Sequence, residues 1–144
     1  MSYDSIIIDS ITCEAYNEAM YDETDSRRRP LLGLQEVSGN RVANKEEGVL
    51  AITAETKEAL ERKYDGNSLP ISISCLIGAC EEINILSIDE NDSIIKAASF
   101  LKWKKQDFCV ITGNSLLKTR LSALGFEVYD LSDAEKVYQK FNGS

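Results

Sequence analysis

The sequence predicts an α/β fold, a three-layer sandwich around a central, mostly parallel sheet of about five strands. Short apolar runs rich in β-branched residues alternate along the chain with longer segments of helical periodicity. Residues that commonly cap helices directly follow several of these runs. Strands that alternate with helices pair in parallel through right-handed crossovers, so their carboxyl ends meet at one edge of the sheet.

The first predicted strand covers residues 5–9 (SIIID), a continuous apolar run that ends in an acid. A helix is expected at 11–20. Residues 21–48 are interrupted by Pro30 and several glycines, and we expect a long excursion there with one short helix or hairpin.

The second strand is predicted at 49–52, with Thr53 as the cap of a helix at 54–64. The segment 69–80 is ambiguous. Pro70 favours an extended start, whereas the apolar second half is typical of a buried helix.

Three more strands and three more helices are predicted in the second half of the chain. The strands cover 83–88, 108–112 and 126–131. The helices cover 92–104, 115–124 and 132 to about 141, with Asp92, Asn114 and Ser132 as their capping residues.

The whole chain, residues 1–144, is predicted to be one domain, since its length and its 43% hydrophobic content suit a single core. It contains no histidine, which excludes Ser-His-Asp and Cys-His catalysis and His-containing zinc sites. A net charge of −8 disfavours general attraction to nucleic acid or to an anionic membrane. No stretch has membrane-spanning length, and we expect an intracellular protein. Four cysteines in apolar surroundings, expected to be reduced and buried, agree with that location: Cys13, Cys75, Cys80 and Cys109.

Four polar residues are predicted to lie near the carboxyl edge of the sheet. Asp9 ends the first strand, and Glu58 lies on the helix after the second. Asp92 begins the helix after the third strand, and Asn114 follows the fourth. Clustered carboxylates repel one another, and a divalent cation offsets the repulsion, which predicts a site for Mg²⁺ or Mn²⁺. Helix capping alone would also explain Asp92 and Asn114, and a favourable helix-dipole position would explain Glu58.

Two basic segments allow both a functional and a structural interpretation. The run 27–29 of three arginines could contact phosphates, but neutralisation of neighbouring acids is the preferred interpretation. Trp103, followed by two lysines, could stack on a nucleic-acid base, but we expect it to anchor the end of a helix.

Several motifs resemble the PIN-domain ribonuclease family in their order and spacing. They are SIIIDS, TAETKEAL, ENDSIIKAASFL and VITGNSLLKTRLSALGFEVYDL, which together cover 5–12 and 49–131 and leave the excursion unmatched. The resemblance implies a divalent-metal-dependent ribonuclease. In it, Asp9, Glu58 and Asp92 would hold Mg²⁺ or Mn²⁺, and Asn114 would help to position water or the metal.

The resemblance also implies an RNA substrate and, for a toxin-type member, an antitoxin or another complex subunit as partner. The RNA target and the oligomeric state stay open. Asn114 stands where the family usually has Asp, and the excursion is longer than in compact toxin-type members. Both departures favour an alternative, a catalytically weakened PIN-like domain that acts as a binding or scaffolding module. A Rossmann-like small-molecule domain is a third alternative, although no glycine-rich phosphate loop follows Asp9.

Overall fold

The computed structural model describes residues 3–65 and 68–142. Five strands of this part of the chain form a parallel sheet in the order β3-β2-β1-β4-β5. They are β1 Ser5–Ile8, β2 Leu50–Thr53, β3 Glu81–Ile83, β4 Phe108–Ile111 and β5 Val128–Tyr129. The predicted α/β class is therefore confirmed.

Helices cover both faces of the sheet and complete the three layers. They are α1 Ser10–Met20, α2 Arg28–Ala43, α3 Ala54–Lys63, α4 Ile71–Gly78, α5 Glu90–Trp103, α6 Ser115–Ala123 and α7 Ala134–Asn142. Side chains alternate across a strand, so Ile6 and Ile8 face the layer that contains α1, α2, α4 and α7, whereas Ile7 faces α5 and α6. The central strand is buried on both sides, which explains its uninterrupted apolar sequence.

The segment 21–48 contains a 16-residue helix, α2, which is longer than the short helix or hairpin expected there. Pro30 lies in the first turn of this helix, where a backbone N–H has no intrahelical partner and its loss costs little. Gly33 is buried against Tyr138 of α7. These residues therefore allow the helix and its packing, rather than breaking it.

The predicted third strand at 83–88 is wrong except for its first residue, because β3 covers Glu81–Ile83. Ile83, the last residue of β3, pairs with Thr53 of β2. Because Thr53 is also the cap of α3, β2 ends there and has no further residue with which β3 could pair. The segment 84–88 is irregular, and Leu86 and Ile88 are exposed. β5 is likewise limited to the two residues that pair with β4.

The predicted caps Thr53 and Asn114 are confirmed. The other two predicted capping residues, Asp92 and Ser132, are wrong, because the cap lies two or three residues earlier in the chain. Asp89 caps α5 by accepting a hydrogen bond from the Asp92 N–H at 2.8 Å, which puts Asp92 in the first turn. Asp130, not Ser132, caps the 3₁₀ turn that precedes α7.

All four cysteines are free, but only two of them are fully buried as expected. Cys75 is exposed, because it lies on the solvent side of α4, and Cys80 is half-buried. Within the described residues, no helix combines the length and the apolar character needed to cross a membrane.

Candidate functional site

The strand order reverses between β1 and β4, and parallel sheets form ligand sites beyond the carboxyl ends of strands at such a point. Asp9 directly follows β1 there, and Thr112 directly follows β4. The exposed fraction is 2% for Asp9 and 1% for Thr112. The topology thus places a buried acid beside a buried hydroxyl at the position that favours a ligand.

Asp9 is held by neutral donors. Its Oδ1 accepts hydrogen bonds from the Thr12 N–H at 2.8 Å and the Thr12 hydroxyl at 2.6 Å, which caps α1. Its Oδ2 accepts one from the Thr112 hydroxyl. The Gly113 N–H lies 3.4 Å from Oδ1. Burial of a polar group costs free energy unless such bonds satisfy it, so these donors allow Asp9 to be buried while it caps α1.

A second carboxylate, Glu90, lies against the residue that follows Asp9. Glu90 Oε2 accepts hydrogen bonds from the Ser10 N–H at 2.8 Å and the Thr56 hydroxyl at 2.9 Å. Glu90 Oε1 accepts one from the Ser10 hydroxyl at 2.7 Å. The first turn of α5 is therefore joined to the first turn of α1, and two carboxylates flank Ser10.

Sequence reasoning missed Glu90. The signal that could have revealed it was the position of the cap. Had α5 been started after Asp89, Glu90 would have been its first residue, at the carboxyl edge of the sheet. Further hydroxyls reinforce this contact, since Ser93 Oγ donates to the Glu90 carbonyl at 2.6 Å and lies 2.7 Å from Thr53 Oγ1.

No lysine or arginine in the described ranges forms an ion pair with Asp9 or Glu90. Asp9 Oδ2 and Glu90 Oε1 each accept a single hydrogen bond from the described residues, and an ionised carboxylate offers about four acceptor positions. Each carboxylate thus keeps acceptor capacity on one oxygen.

Carboxylate oxygens are the donors that a hard cation prefers. Mg²⁺ is commonly bound through one or two carboxylates, with water and substrate phosphates as the remaining ligands. Asp9 and Glu90 could each supply one such carboxylate. No group of three or more His, Cys, Asp or Glu side chains arranged to hold a metal occurs in residues 3–65 and 68–142.

Glu58 lies outside this group. Its side chain is 60% exposed, and Oε2 lies 3.9 Å from the Arg62 guanidinium on the solvent face of α3. Thr56, two residues earlier and roughly on the opposite side of the helix, is the α3 residue that reaches the edge. The structure therefore does not bring Glu58 together with Asp9.

Asp92 shares the edge but has its own partners. Its Oδ2 accepts a hydrogen bond from the Ile88 N–H at 2.9 Å and lies 3.2 Å from Lys96 Nζ. The Ile88 bond and then Lys96 lower the pKa of Asp92 below its usual value. Its side chain stabilises the turn before α5.

Asn114 is connected to Asp9 through one residue. Its side chain caps α6 by accepting from the N–H groups of Leu116 and Leu117. Its own N–H donates to the Thr112 hydroxyl at 2.9 Å, and that hydroxyl donates to Asp9. Asp9 and Asn114 are thus brought together, as the sequence analysis expected of residues at one sheet edge.

A cleft of about 480 Å³ opens beside Asn114, between α6 and the end of β5. Lys118 and Asp130 lie in its wall, with Lys118 Nζ 3.1 Å from Asp130 Oδ2. The Ser132 hydroxyl and then Lys118 lower the pKa of Asp130 to about 2. Asp130 was also missed, although an acid directly after the fifth apolar run (VYD) was a visible signal. The cleft offers one cation and several hydroxyls beside the acidic edge.

No protein-family model matches the chain, and no curated protein matches it significantly. The likeness to PIN-domain ribonucleases therefore rests on the sequence motifs alone.

Proposed function

We propose that this protein is a divalent-metal-dependent ribonuclease that hydrolyses RNA phosphodiester bonds at the carboxyl edge of its sheet. The observation that carries the proposal is the pair of carboxylates, Asp9 and Glu90, on either side of Ser10 without a basic partner among the described residues. Neighbouring anions repel one another, and burial strengthens that repulsion. A divalent cation would offset it.

A bound Mg²⁺ or Mn²⁺ would supply Lewis-acid activation of the scissile phosphate. Asp9 and Glu90 would hold the ion through the oxygens that keep acceptor capacity. Thr12 and Thr112 fix the Asp9 carboxylate, so the site is preorganised. Asn114, at the mouth of the cleft, would orient water.

Other residues of the edge would contribute to substrate binding. Lys118 would contact a phosphate oxygen of the RNA, as a point charge in the cleft wall. Asp92 stays a nearby acid whose charge adds to the attraction of the edge for cations. We further propose an intracellular location, supported by the four free thiols. A protein partner, such as an antitoxin or complex subunit, stays a proposal.

The test compares two acid-to-amide variants in RNA cleavage with Mn²⁺. Glu90→Gln is expected to lower the cleavage rate by about 100-fold or more, because it removes a charge from the metal site. Glu58→Gln is the matched control and should cleave like the wild type, because its side chain faces solvent. EDTA should abolish cleavage in both.

Two outcomes would count against this assignment. Equal cleavage by Glu90→Gln and the wild type would remove Glu90 from the mechanism. If only Glu58→Gln lost cleavage, Glu58 rather than Glu90 would be the metal-binding acid, as the sequence motifs indicate.

A binding or scaffolding module is the second candidate function. One observation favours it, namely that hydroxyl and N–H donors already satisfy most of the acceptor capacity of Asp9 without any metal. Calorimetry separates the candidates. A ribonuclease should bind Mn²⁺, and Glu90→Gln should weaken that binding. Absence of heat with the wild type, together with absence of cleavage, would favour the module.

A further inference from the structure

The C-terminal end of α5 presents an aromatic and basic surface that the sheet-edge site does not use. This surface, which we term the α5 platform, consists of Phe100, Trp103, Lys104 and Lys105. The exposed fraction of Trp103 is 78%, and that of Phe100 is 43%. The expectation that Trp103 anchors the helix end is therefore wrong, because most of its side chain contacts solvent.

The rings of the α5 platform have fixed orientations. Phe100 and Trp103 stack with their centroids 6.2 Å apart and their planes 25° apart. Lys104 Nζ lies 5.3 Å from the Phe100 centroid, a cation–π contact. Lys105 adopts φ 60°, and its N–H donates to the Lys102 carbonyl at 3.0 Å, which closes the helix end. Phe100 thus supports one side of the indole, and the helix terminus beneath it is ordered.

The lysines of the α5 platform make it locally cationic in an acidic chain. Lys104 and Lys105 form no ion pair with the described residues. Charges are screened over about 8 Å at physiological ionic strength, so a ligand on Trp103 responds mainly to the neighbouring lysines and to the exposed acid Asp107, two residues beyond Lys105, rather than to the net charge of −8. The surface is complementary to an anion that also carries a flat ring.

We propose that the α5 platform binds a single-stranded segment of RNA, with one base stacked on Trp103 and its flanking phosphates at Lys104 and Lys105. Base–aromatic stacking beside basic side chains is the usual basis of single-strand binding without sequence specificity. A duplex does not offer a free base face, and the core of a protein–protein interface is depleted in lysine. The choice of RNA rests on the proposed function, whereas stacking and phosphate contact do not depend on it.

The α5 platform is separate from the carboxylates. Glu90 begins α5 and Trp103 ends it, so the 14-residue helix places them about 20 Å apart. Binding at the platform can therefore be measured without metal and without cleavage.

The test uses the single tryptophan of the sequence as its reporter. Titration with an oligouridylate of about 12 nucleotides in EDTA should quench Trp103 fluorescence to saturation, and added salt should weaken the binding. In parallel, anisotropy of the labelled oligonucleotide should show Trp103→Ala binding about 5- to 100-fold more weakly, with Trp103→Phe close to the wild type. The double variant Lys104→Gln, Lys105→Gln should lower the slope of log K against log salt by about 0.7 per lysine.

The charge-matched control is Lys45→Gln, Lys57→Gln, which removes two lysines elsewhere on the surface. It should bind like the wild type, and circular dichroism should show that every variant is folded. Absence of quenching, equal weakening by the control, or tighter binding of an RNA duplex would each overturn the proposal. Glu90→Gln should bind the oligonucleotide normally. Intact binding by a wild-type protein that does not cleave RNA would count only against the proposed ribonuclease.

Discussion

Asp9 combines a structural and a proposed chemical role in one carboxylate. It caps α1 through Thr12 and accepts from Thr112 across the sheet edge. Asp9→Ala should lower the free energy of unfolding by about 2–4 kcal/mol, since it removes a helix cap and leaves the buried Thr112 hydroxyl without its acceptor. The Thr12 hydroxyl would keep only the Ile111 carbonyl, at 3.2 Å. Urea denaturation would measure the change.

The matched control for that measurement is Asp89→Ala. Asp89 caps α5 in the same way, but it is exposed, so its loss should cost only about 1 kcal/mol. Equal destabilisation by both variants would show that the buried hydroxyls do not depend on Asp9. Because Asp9 variants lose stability, Glu90→Gln is the cleaner probe of activity.

At this scale the sequence predicted Asp9, Thr53 and Asn114 well, because a polar residue that follows a buried strand can occupy only a few positions. It did not distinguish Glu58 from Glu90. Which residue of a helix points toward a site depends on how the helix is rotated about its own axis. Successive side chains differ in direction by about 100°, so a shift of one residue changes which side chain faces the site. The position of the Asp89 cap and the packing of α3 against α5 decide that rotation.

At the scale of elements, α2 and α7 approach each other at Gly33. A Cβ on Gly33 would lie 2.3 Å from the Tyr138 ring. Gly33→Ala should therefore destabilise the protein by about 1–3 kcal/mol, because Tyr138 or the whole of α7 must shift. Thermal or urea unfolding would measure it.

Gly78→Ala is the control for that substitution. Gly78 also lies in a helix, but a Cβ there would meet no atom within 4 Å. Its replacement should be neutral or stabilise the protein by up to about 1 kcal/mol, through the better helix propensity of alanine. A Gly33→Ala variant as stable as Gly78→Ala would contradict the close contact between α2 and α7.

Elements were predictable where local pattern and tertiary packing agree. The strands β1, β2 and β4 and the helices after them were found because their apolar runs are continuous. The length of α2 could not be predicted, because Gly33 and Pro30 usually disfavour a helix. Here Gly33 allows close packing against α7, and Pro30 lies in the first turn, where it is tolerated. The position of β3 could not be read from INILSI at 83–88. The strand begins in the polar pair before this run, at Glu81, and it ends at Ile83 because its partner β2 turns into α3 at Thr53.

For the whole molecule, burial should separate the four thiols by reactivity. Desolvation raises the pKa of the Cys13 and Cys109 thiols well above the usual value and that of Cys80 to about 12. The thiolate is the reactive form, so a raised pKa keeps these three unreactive at neutral and mildly alkaline pH. Cys75 is exposed on α4.

We expect Ellman's reagent, at mildly alkaline pH, to modify Cys75 rapidly and the other three only as the protein unfolds. Mass spectrometry of the labelled peptide would identify the residue. Cys75→Ser is the control, because it should remove the fast phase of modification. If a second thiol reacted as fast as Cys75, the helices that cover the sheet would open more readily than their packing indicates.

The central position of β1 has a consequence for the order of synthesis. Its partner β4 begins at Phe108, which pairs with Ser5, and the Asp9–Thr112 bond spans 103 residues. Contacts of such long sequence separation form late and slow the folding of a domain. During translation, β1 and its acid have no β4 beside them until residues 108–111 have been synthesised and have left the ribosome. If the sheet edge cleaves RNA, the nascent chain cannot do so before that point.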